Sequence, residues 1–281
     1  MEIGFAIDPA QRLSHRDELS CVRYAAELGY HHAWTPGRGD ASAFDRCRAW
    51  FEASGMATGI LVVPASDQPP RFYAELARGM WEASGGRFVL GVGSGRLAHP
   101  RRRMPDYIGT LRSMLPSDLP VFVAALGPSM LRVASETGDG VALNWCSAEQ
   151  LAWSRIEVER AATGAGRPIP KVVGYVRTAV DPLPQRAKQA ALQAMLGYAN
   201  VSPAYRAHFR RMGFAEQLAE GDQGGNSEVI AKVAASGAPG SVRPQFGELS
   251  RGLDVSIVRV LVAAEGDANS ARRVLEECRP R

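Results

Sequence analysis

Along this chain, short runs of consecutive apolar residues alternate with longer stretches whose apolar positions recur at helical spacing. The runs predict strands at Glu2–Ile7, His32–Trp34, Met56–Val63, Phe88–Val92, Val121–Ala125, Gly140–Asn144, Lys171–Val180 and Asp254–Val262. The amphipathic stretches predict helices at Arg16–Leu28, Ala43–Ser54, Arg71–Ala83, Asp106–Leu115, Ser129–Thr137, Ala148–Thr163 and Ala268–Glu277. Strands that read as unbroken Val/Ile/Leu segments are buried on both faces, which argues for a parallel sheet covered by helices. Eight such units predict an α/β fold closed on itself, a single (β/α)8 TIM barrel occupying residues 1–281. The rhythm breaks once, between the seventh and eighth strands. There, residues 184–252 are too long for one helix and predict an excursion with helices at Gln185–Tyr198, Pro203–Met212 and Glu228–Ala235. A polar stretch, Gly221–Asn226, interrupts it, and the whole is expected to form a lid or wall over the barrel mouth.

In a barrel of this kind the chemistry sits at the C-terminal ends of the strands. That rule alone selects Asp8, Thr35, Pro36, the segment Leu61–Ala65, the segment Gly93–His99, Leu126-Gly127-Pro128, Asn144 and Arg177. Two of these places carry further signals. The stretch SGGRFVLGVGSG (Ser84–Gly95) runs from a glycine turn through a short apolar strand into a bare loop, where the lack of side chains lets a flat ligand approach. Its spacing is not that of the dinucleotide fingerprint, because His99, Pro100 and three arginines follow instead of an immediate helix. After the fifth strand, Ala125-Leu126-Gly127-Pro128-Ser129-Met130 places a proline where a first helical turn tolerates it, so free N–H groups and the Ser129 hydroxyl can hold a phosphate. An ordinary β–α junction is the alternative.

Composition narrows the function classes. Apolar residues make up 46% and charged residues 22% of the chain, as in a globular protein with a large core. The longest apolar runs are too short to span a bilayer, and the N-terminus lacks a secretory pattern, so a cytoplasmic protein without membrane contact is expected. The net charge is +4, and all but three of the basic residues (Lys171, Lys188, Lys232) are arginine. They are dispersed, without the aromatic-studded basic stripe of a nucleic-acid binder. Cys21, Cys47, Cys146 and Cys278 show no metal-ligand spacing and read as buried free thiols.

Four segments, AAELGYHHAW (Ala25–Trp34), TGILVVPASDQPP (Thr58–Pro70), SGGRFVLGVGSG and PVFVAALGPSMLRVASETGDGVALN (Pro120–Asn144), come in an order that resembles the luciferase-like monooxygenase superfamily over nearly the whole chain. Their wording is most similar to the branch that uses the deazaflavin coenzyme F420, with the FMN- and oxygen-using branch as the alternative. The resemblance implies a bulged third strand with a non-prolyl cis peptide at Gly59-Ile60-Leu61, with Val62 beside it, against the deazaflavin ring. It also implies the coenzyme's phosphodiester at Ala125–Met130, helped by Gly93, Ser94 and Gly95, with Thr35 and Asn144 completing the cofactor site. The Asp-His pair and Trp of the branch's sugar-phosphate dehydrogenases are missing, since the place after strand two reads Thr35-Pro36-Gly37-Arg38-Gly39-Asp40. Oxidation of a sugar hydroxyl is therefore not expected.

The expected activity is hydride transfer between deazaflavin C5 and a small organic substrate, as reduction of a C=C or C=N bond by reduced F420. Two alternatives stand beside it: an FMN-dependent monooxygenase, and a barrel that binds flavin without catalysis. His99 is the candidate proton donor, with a solvated loop residue as the alternative; Asp8 either hydrogen-bonds substrate or ring, or caps the turn that follows it. His208 is expected at the surface of an excursion helix, whereas Tyr205 and Arg206 face the pocket if that helix is a lid. Trp34 and Trp145 either pack in the core or stack near the ring, and Arg101–Arg103 either solvate a turn or meet the coenzyme's acidic tail. A homodimer is expected by resemblance.

Overall fold

The structure is a computed structural model and describes residues 1–216 and 223–281. Seven strands, β1 (Glu2–Ala6), β2 (His32–Thr35), β3 (Ala57–Pro64), β4 (Phe88–Gly93), β5 (Val121–Ala124), β6 (Gly140–Asn144) and β7 (Lys171–Val180), pair in parallel in chain order. A further strand, β9 (Val255–Leu261), pairs with both β7 and β1 and closes the ring. The expected (β/α)8 barrel is thus present. One strand was not anticipated: β8 (Ala234–Gly237) lies against the upper half of β7, from Arg177 to Val180, where β6 has already ended opposite Tyr175. With ten residues, β7 is long enough to serve two partners in succession along one edge.

Around the barrel run α1 (His15–Glu27), α2 (Ser42–Ser54), α3 (Pro70–Ser84), α4 (Pro100–Arg112), α5 (Pro128–Thr137), α6 (Ala148–Gly164), α7 (Pro184–Val201), α8 (Pro203–Arg211), α9 (Gln223–Val233), α10 (Val242–Leu249) and α11 (Ala268–Glu277). Local chemistry sets many of the boundaries. Five helices open on a proline whose missing N–H is one no helical carbonyl needs: α3, α4, α5, α7 and α8. Ser14, Ser147 and Asp267 accept backbone N–H groups at the starts of α1, α6 and α11. Gly55 and Gly85 end α2 and α3 in the left-handed conformation.

Three expectations need correction. The fourth helix begins at Pro100, not Asp106, so the three arginines belong to its first turn and the GxGxG loop does lead into a helix within five residues. The Glu228–Ala235 helix ends at Val233, because β-pairing with β7 captures Ala234 and Ala235. The same helix begins at Gln223, inside the expected interruption Gly221–Asn226, whose first two residues lie outside those described. Helix α10 was not expected at all.

The barrel interior is filled from below. The indole of Trp34 stacks on Phe122 with centroids 6.1 Å apart, and Ala6, Leu61, Ala142, Val173, Val255 and Ile257 pack around the pair. Glycines make the room: a Cβ on Gly59 would lie 2.3 Å from the Trp34 ring, and one on Gly140 would lie 2.5 Å from the Phe122 ring. Trp34 is therefore a floor to the barrel, which leaves only its upper rim for a ligand.

The β3 strand carries a cis peptide between Leu61 and Val62, a non-prolyl bond slightly beyond the expected place, and its register against β4 shifts between Ile60 and Val63. Two glycines of β4 accommodate the bulge. A Cβ on Gly91 would sit 2.4 Å from the Ile60 carbonyl oxygen, and one on Gly93 would sit 2.6 Å from Val62 Cγ2. The glycine-rich run at the end of β4 thus serves backbone packing against β3. Replacing Gly91 by Ala is expected to destabilise the fold by about 1–3 kcal/mol, because backbone must move. Gly79→Ala, at an open position of α3, is expected to stabilise it by about 0.5–1 kcal/mol. Urea unfolding midpoints of the two variants check both signs.

Candidate functional site

Side chains that alternate along β7 and β9 decide what lines the upper rim. Val173, Tyr175 and Arg177 point inward from β7, as do Val255, Ile257 and Arg259 from β9, and Arg177 stands opposite Arg259 in the register. Both arginines are fully buried, with 2% and 1% exposure. Among the described residues their only carboxylate partner is Asp8 at the end of β1, which forms an ion pair with Arg259 Nη2. Arg259 Nη1 has no hydrogen-bond partner among the described residues.

Arg177 is held without a counter-ion of its own. Its Nη1 donates to Asn144 Oδ1 at 2.6 Å, and its guanidinium lies 4.5, 5.2 and 5.5 Å from the rings of Trp145, Tyr198 and Tyr175. Each desolvated contact of that kind is worth about 0.5–2 kcal/mol, and a hydrogen bond to a charged group about 1.5–3 kcal/mol. Burial lowers the Arg177 pKa from its ordinary value, yet a guanidinium remains a cation at any physiological pH. The rim therefore carries two positive charges and one negative.

Tyrosines close this layer. The Tyr175 hydroxyl donates to the Leu61 carbonyl at 3.0 Å, tying the centre of the barrel to the β3 bulge. Asn144 Nδ2 donates to the Tyr205 hydroxyl on α8, and the Tyr205 ring meets Tyr198 of α7 edge-on at 4.7 Å. Burial raises the Tyr175 and Tyr205 phenols. At Tyr198 burial acts in the same direction, but the charges of Arg177 and Arg259 outweigh it and leave that phenol below its ordinary value.

The α8 helix is pinned onto the β5–α5 junction. His208 is completely buried, not at the surface as expected; its Nε2 lies 3.0 Å from the Trp145 carbonyl and its Nδ1 3.1 Å from that of Leu126. Burial depresses its pKa to about 4, aided by Arg211, whose Nη2 donates to the Leu126 carbonyl and lies 3.3 Å from Nδ1. The neutral ring thus donates from Nε2 to Trp145 and accepts from Arg211. The Arg211 guanidinium also covers Gly127, where a Cβ would approach it to 3.2 Å.

The expected site residues fall into three groups. Asp8, Leu61 and Asn144 join the layer just described. Asp8 also caps the turn after it, since its Oδ1 accepts from Ala10 N at 2.9 Å, which is the capping role expected as one of its two readings. Leu126, Gly127, Pro128, Ser129 and Met130 form the start of α5 as expected; Pro128 and Ser129 are exposed, and Ala125 is buried beneath them. The remaining residues have structural surroundings. Thr35 is buried with its hydroxyl turned to the Pro36 carbonyl, and Gly59 lies under Trp34. Ile60 packs in the outer core, while Val62 fills the space left by Gly91 and Gly93. A Cβ on Gly95 would strike Ser66 Oγ at 2.4 Å, and the Ser94 carbonyl accepts from Leu97 N. His99 is exposed at the start of α4, in a left-handed conformation and without a capping bond from its side chain.

Arg259, Tyr175 and Tyr198 were not singled out from sequence, and Arg177 was placed only on the ring of strand ends. Their signal is an arginine in the middle of an apolar strand at inward-facing parity, in VGYVRTAV and again in VSIVRVL. A cavity of about 780 Å³ opens beside the layer, from Asp8 and Thr35 past Pro36, Gly37 and Arg38 to His15 and Arg46 on the outer helices. Among the described residues no cluster of His, Cys, Asp and Glu could hold a metal ion, and the four cysteines are free and buried. No described helix is long and apolar enough to cross a membrane.

The model of the luciferase-like monooxygenase family matches residues 108–245, from α4 through α10. That stretch, just under half of the chain, is similar to the luciferase-like monooxygenase family. The chain is similar to the 5,10-methylenetetrahydromethanopterin reductase of Archaeoglobus fulgidus, with 27% identity over 221 residues, 60% of this chain and 66% of that one, slightly under two thirds of the relative's length. Its fold is similar to an F420-dependent secondary alcohol dehydrogenase solved with an F420-acetone adduct (TM-score 0.78, 13% identity, 98% and 97% of the two chains). It is also similar to the oxygenating constituent of 3,6-diketocamphane monooxygenase of Pseudomonas putida, solved with FMN (TM-score 0.65, 15% identity, 100% and 99%). At these identities the two solved structures show the barrel fold alone, one of them holding an F420 adduct and the other FMN.

Two predictions follow from the geometry. His208 is neutral in the folded chain and protonates near pH 6.5 when unfolded. Stability is therefore intact above about 6.5 and falls as pH drops toward 4, by up to about 3 kcal/mol from this residue alone. Denaturant midpoints measured across that window should show the slope, and His208→Gln should flatten it. Asp8 behaves in the opposite sense from a carboxylate raised by burial: although burial pushes its pKa up, the charge of Arg259 and the Ala10 N–H win, and its pKa is lowered. Its contribution is present above pH 4 and is lost on acidification, so Asp8→Asn should lower stability at neutral pH by about 1–3 kcal/mol and lessen acid sensitivity.

Proposed function

We propose that this chain is a coenzyme F420-dependent oxidoreductase that transfers hydride between deazaflavin C5 and a small organic substrate, in the direction of reducing a C=C or C=N bond. The observation that carries the proposal is the buried pair Arg177 and Arg259 at the mouth, two cations with one carboxylate between them and one guanidinium nitrogen unpartnered. A reduced deazaflavin has a pyrimidinedione edge rich in carbonyls and negative charge, and this donor set fits it. The named chemistry of the relatives supports the same reading.

Arg177, Arg259 and Asn144 would hold the carbonyl edge of the ring, with Leu61 and Val62 at its back. Ser129 and the first N–H groups of α5 would hold the phosphodiester, with the Arg211 charge beside Gly127 adding to the helix N-terminus. When bound, the coenzyme supplies a hydride donor at C5. The chain's own part is to orient that ring, keep the floor dry through Trp34 and Phe122, and supply one proton. Residues 184–252 contribute the cover through α7 and α8.

Titration with oxidised F420 should quench its fluorescence saturably, while FMN in a parallel titration should show no saturable change. Arg259→Met should weaken F420 binding about tenfold or more. Saturable FMN binding without F420 binding overturns the proposal in favour of a flavin monooxygenase. F420 binding without turnover on a panel of enones and imines favours a barrel that only binds.

A further inference from the structure

Hydride addition to a C=C or C=N bond leaves an electron pair that must take up one proton, and the mouth has to supply it. Asp8 has both oxygens engaged, by Ala10 N and by Arg259, and its pKa is held low, so it is a poor acid. His99 is exposed at the start of α4. Three phenols surround the charged layer. That of Tyr175 donates its proton to the Leu61 carbonyl, and that of Tyr205 accepts from Asn144 and is held above its ordinary value by burial. Tyr198 differs from both. It comes from α7, is half-buried, and its ring lies 5.2 Å from the Arg177 guanidinium, with Arg259 and Asp8 in electrostatic reach. Its ring is fixed edge-on between Trp145, at 5.9 Å, and Tyr205, at 4.7 Å.

We propose that Tyr198 is the catalytic acid of this site, giving its phenolic proton to the substrate atom that gains the electron pair as hydride arrives at the neighbouring carbon. The inference rests on the reading of the site as deazaflavin-dependent, with the reduced coenzyme as the reductant. The bonds balance: the hydride donor's C5–H bond, the substrate's π bond and the Tyr198 O–H bond break, while a C–H bond forms at the carbon receiving hydride and an N–H or C–H bond at the adjacent atom. The phenolate left behind lies beside Arg177 and Arg259 and regains its proton from water; in the reverse direction it acts as the base. The charged and titratable groups that face Tyr198 are Arg177 and Tyr175 from β7, Arg259 from β9, Asp8 after β1 and Tyr205 from α8. The two cations prevail, so the phenol ionises below the ordinary tyrosine value of about 10.

The test begins on the protein without coenzyme, carrying tyrosine labelled with carbon-13 at Cζ. Among the seven tyrosine signals, one that is absent from Tyr198→Phe should titrate below 10, and should move upward in Arg177→Met. In turnover with reduced F420, Tyr198→Phe should lower kcat about a hundredfold. It should also remove the alkaline limb of the kcat profile while leaving F420 quenching and the KM for the coenzyme unchanged. Tyr24→Phe, on α1 against Arg272 of α11, should leave all of these as they are. A Tyr198 signal that titrates at or above 10, or full kcat in Tyr198→Phe with F420 still bound, overturns the role of Tyr198 and leaves the coenzyme reading standing. Failure of the unaltered protein to quench F420 overturns the coenzyme reading itself and the role with it.

Discussion

Two like charges buried side by side are the constraint around which this barrel is arranged. Arg177 and Arg259 are neighbours because β7 and β9 pair in a register that sets them opposite each other, and both strands are otherwise apolar. Burying a cation is unfavourable unless rings, dipoles or a counter-charge replace its water. The surroundings supply all three: Asp8 for Arg259, Asn144 and the Trp145 ring for Arg177, and Tyr175 between them, 4.7 Å from the Arg259 guanidinium. What remains is one positive charge in excess, in a place closed from below by Trp34 and Phe122. A site of that kind is prepared for an electron-rich partner before any arrives.

The same residues connect elements far apart in sequence. Tyr175 reaches from the charged layer to the β3 bulge, and Asn144 reaches from it to α8. The α8 helix in turn grips the β5–α5 junction through Arg211, which donates to the Leu126 carbonyl, and the segment after β6 through His208, which donates to that of Trp145. A disturbance of the excursion would thus be felt at the start of α5 and at the layer together. That is why the excursion is part of the site even though it lies outside the eight strand–helix units.

Sequence made the barrel legible because its strands are buried on both faces and read as continuous apolar runs. For β6, β7 and α11 the expected boundaries coincide with the observed ones, and Pro128 marked the start of α5. Where the pattern failed, a competing signal was present. Pro100 is as clear a helix start as Pro128, but the arginines after it masked the apolar periodicity of α4. The small residues of β8 carry no strand signature, and only the free upper edge of β7 makes them one. His208 looked like a surface residue because its neighbours Arg206, Arg210 and Arg211 are polar; its burial depends on carbonyls contributed from Leu126 and Trp145. The arginines of the layer were visible as interruptions of strand apolarity. Their significance depends on which parity faces inward, and that is fixed only when the barrel closes.

The origin of each group suggests how such a site divides its labour. The cations, Asp8 and Asn144 come from strand ends, whose positions are set by barrel register and cannot shift without disturbing every neighbour. The tyrosines that cover them, Tyr198 and Tyr205, come from helices outside the ring, held by ring-on-ring contacts and a few hydrogen bonds. On the proposed function, recognition of an electron-rich ring belongs to the first set, because it needs fixed charges. Selection of the second reactant belongs to the other set, because side chains on α7 and α8 can change without altering the barrel beneath. The proton donor proposed on α7 sits at the boundary: its acidity is governed by the strands, while its position is governed by the cover. Proton delivery then depends on the cover being seated, and an unseated α7 would leave the charged layer able to bind but short of the group that completes the reaction.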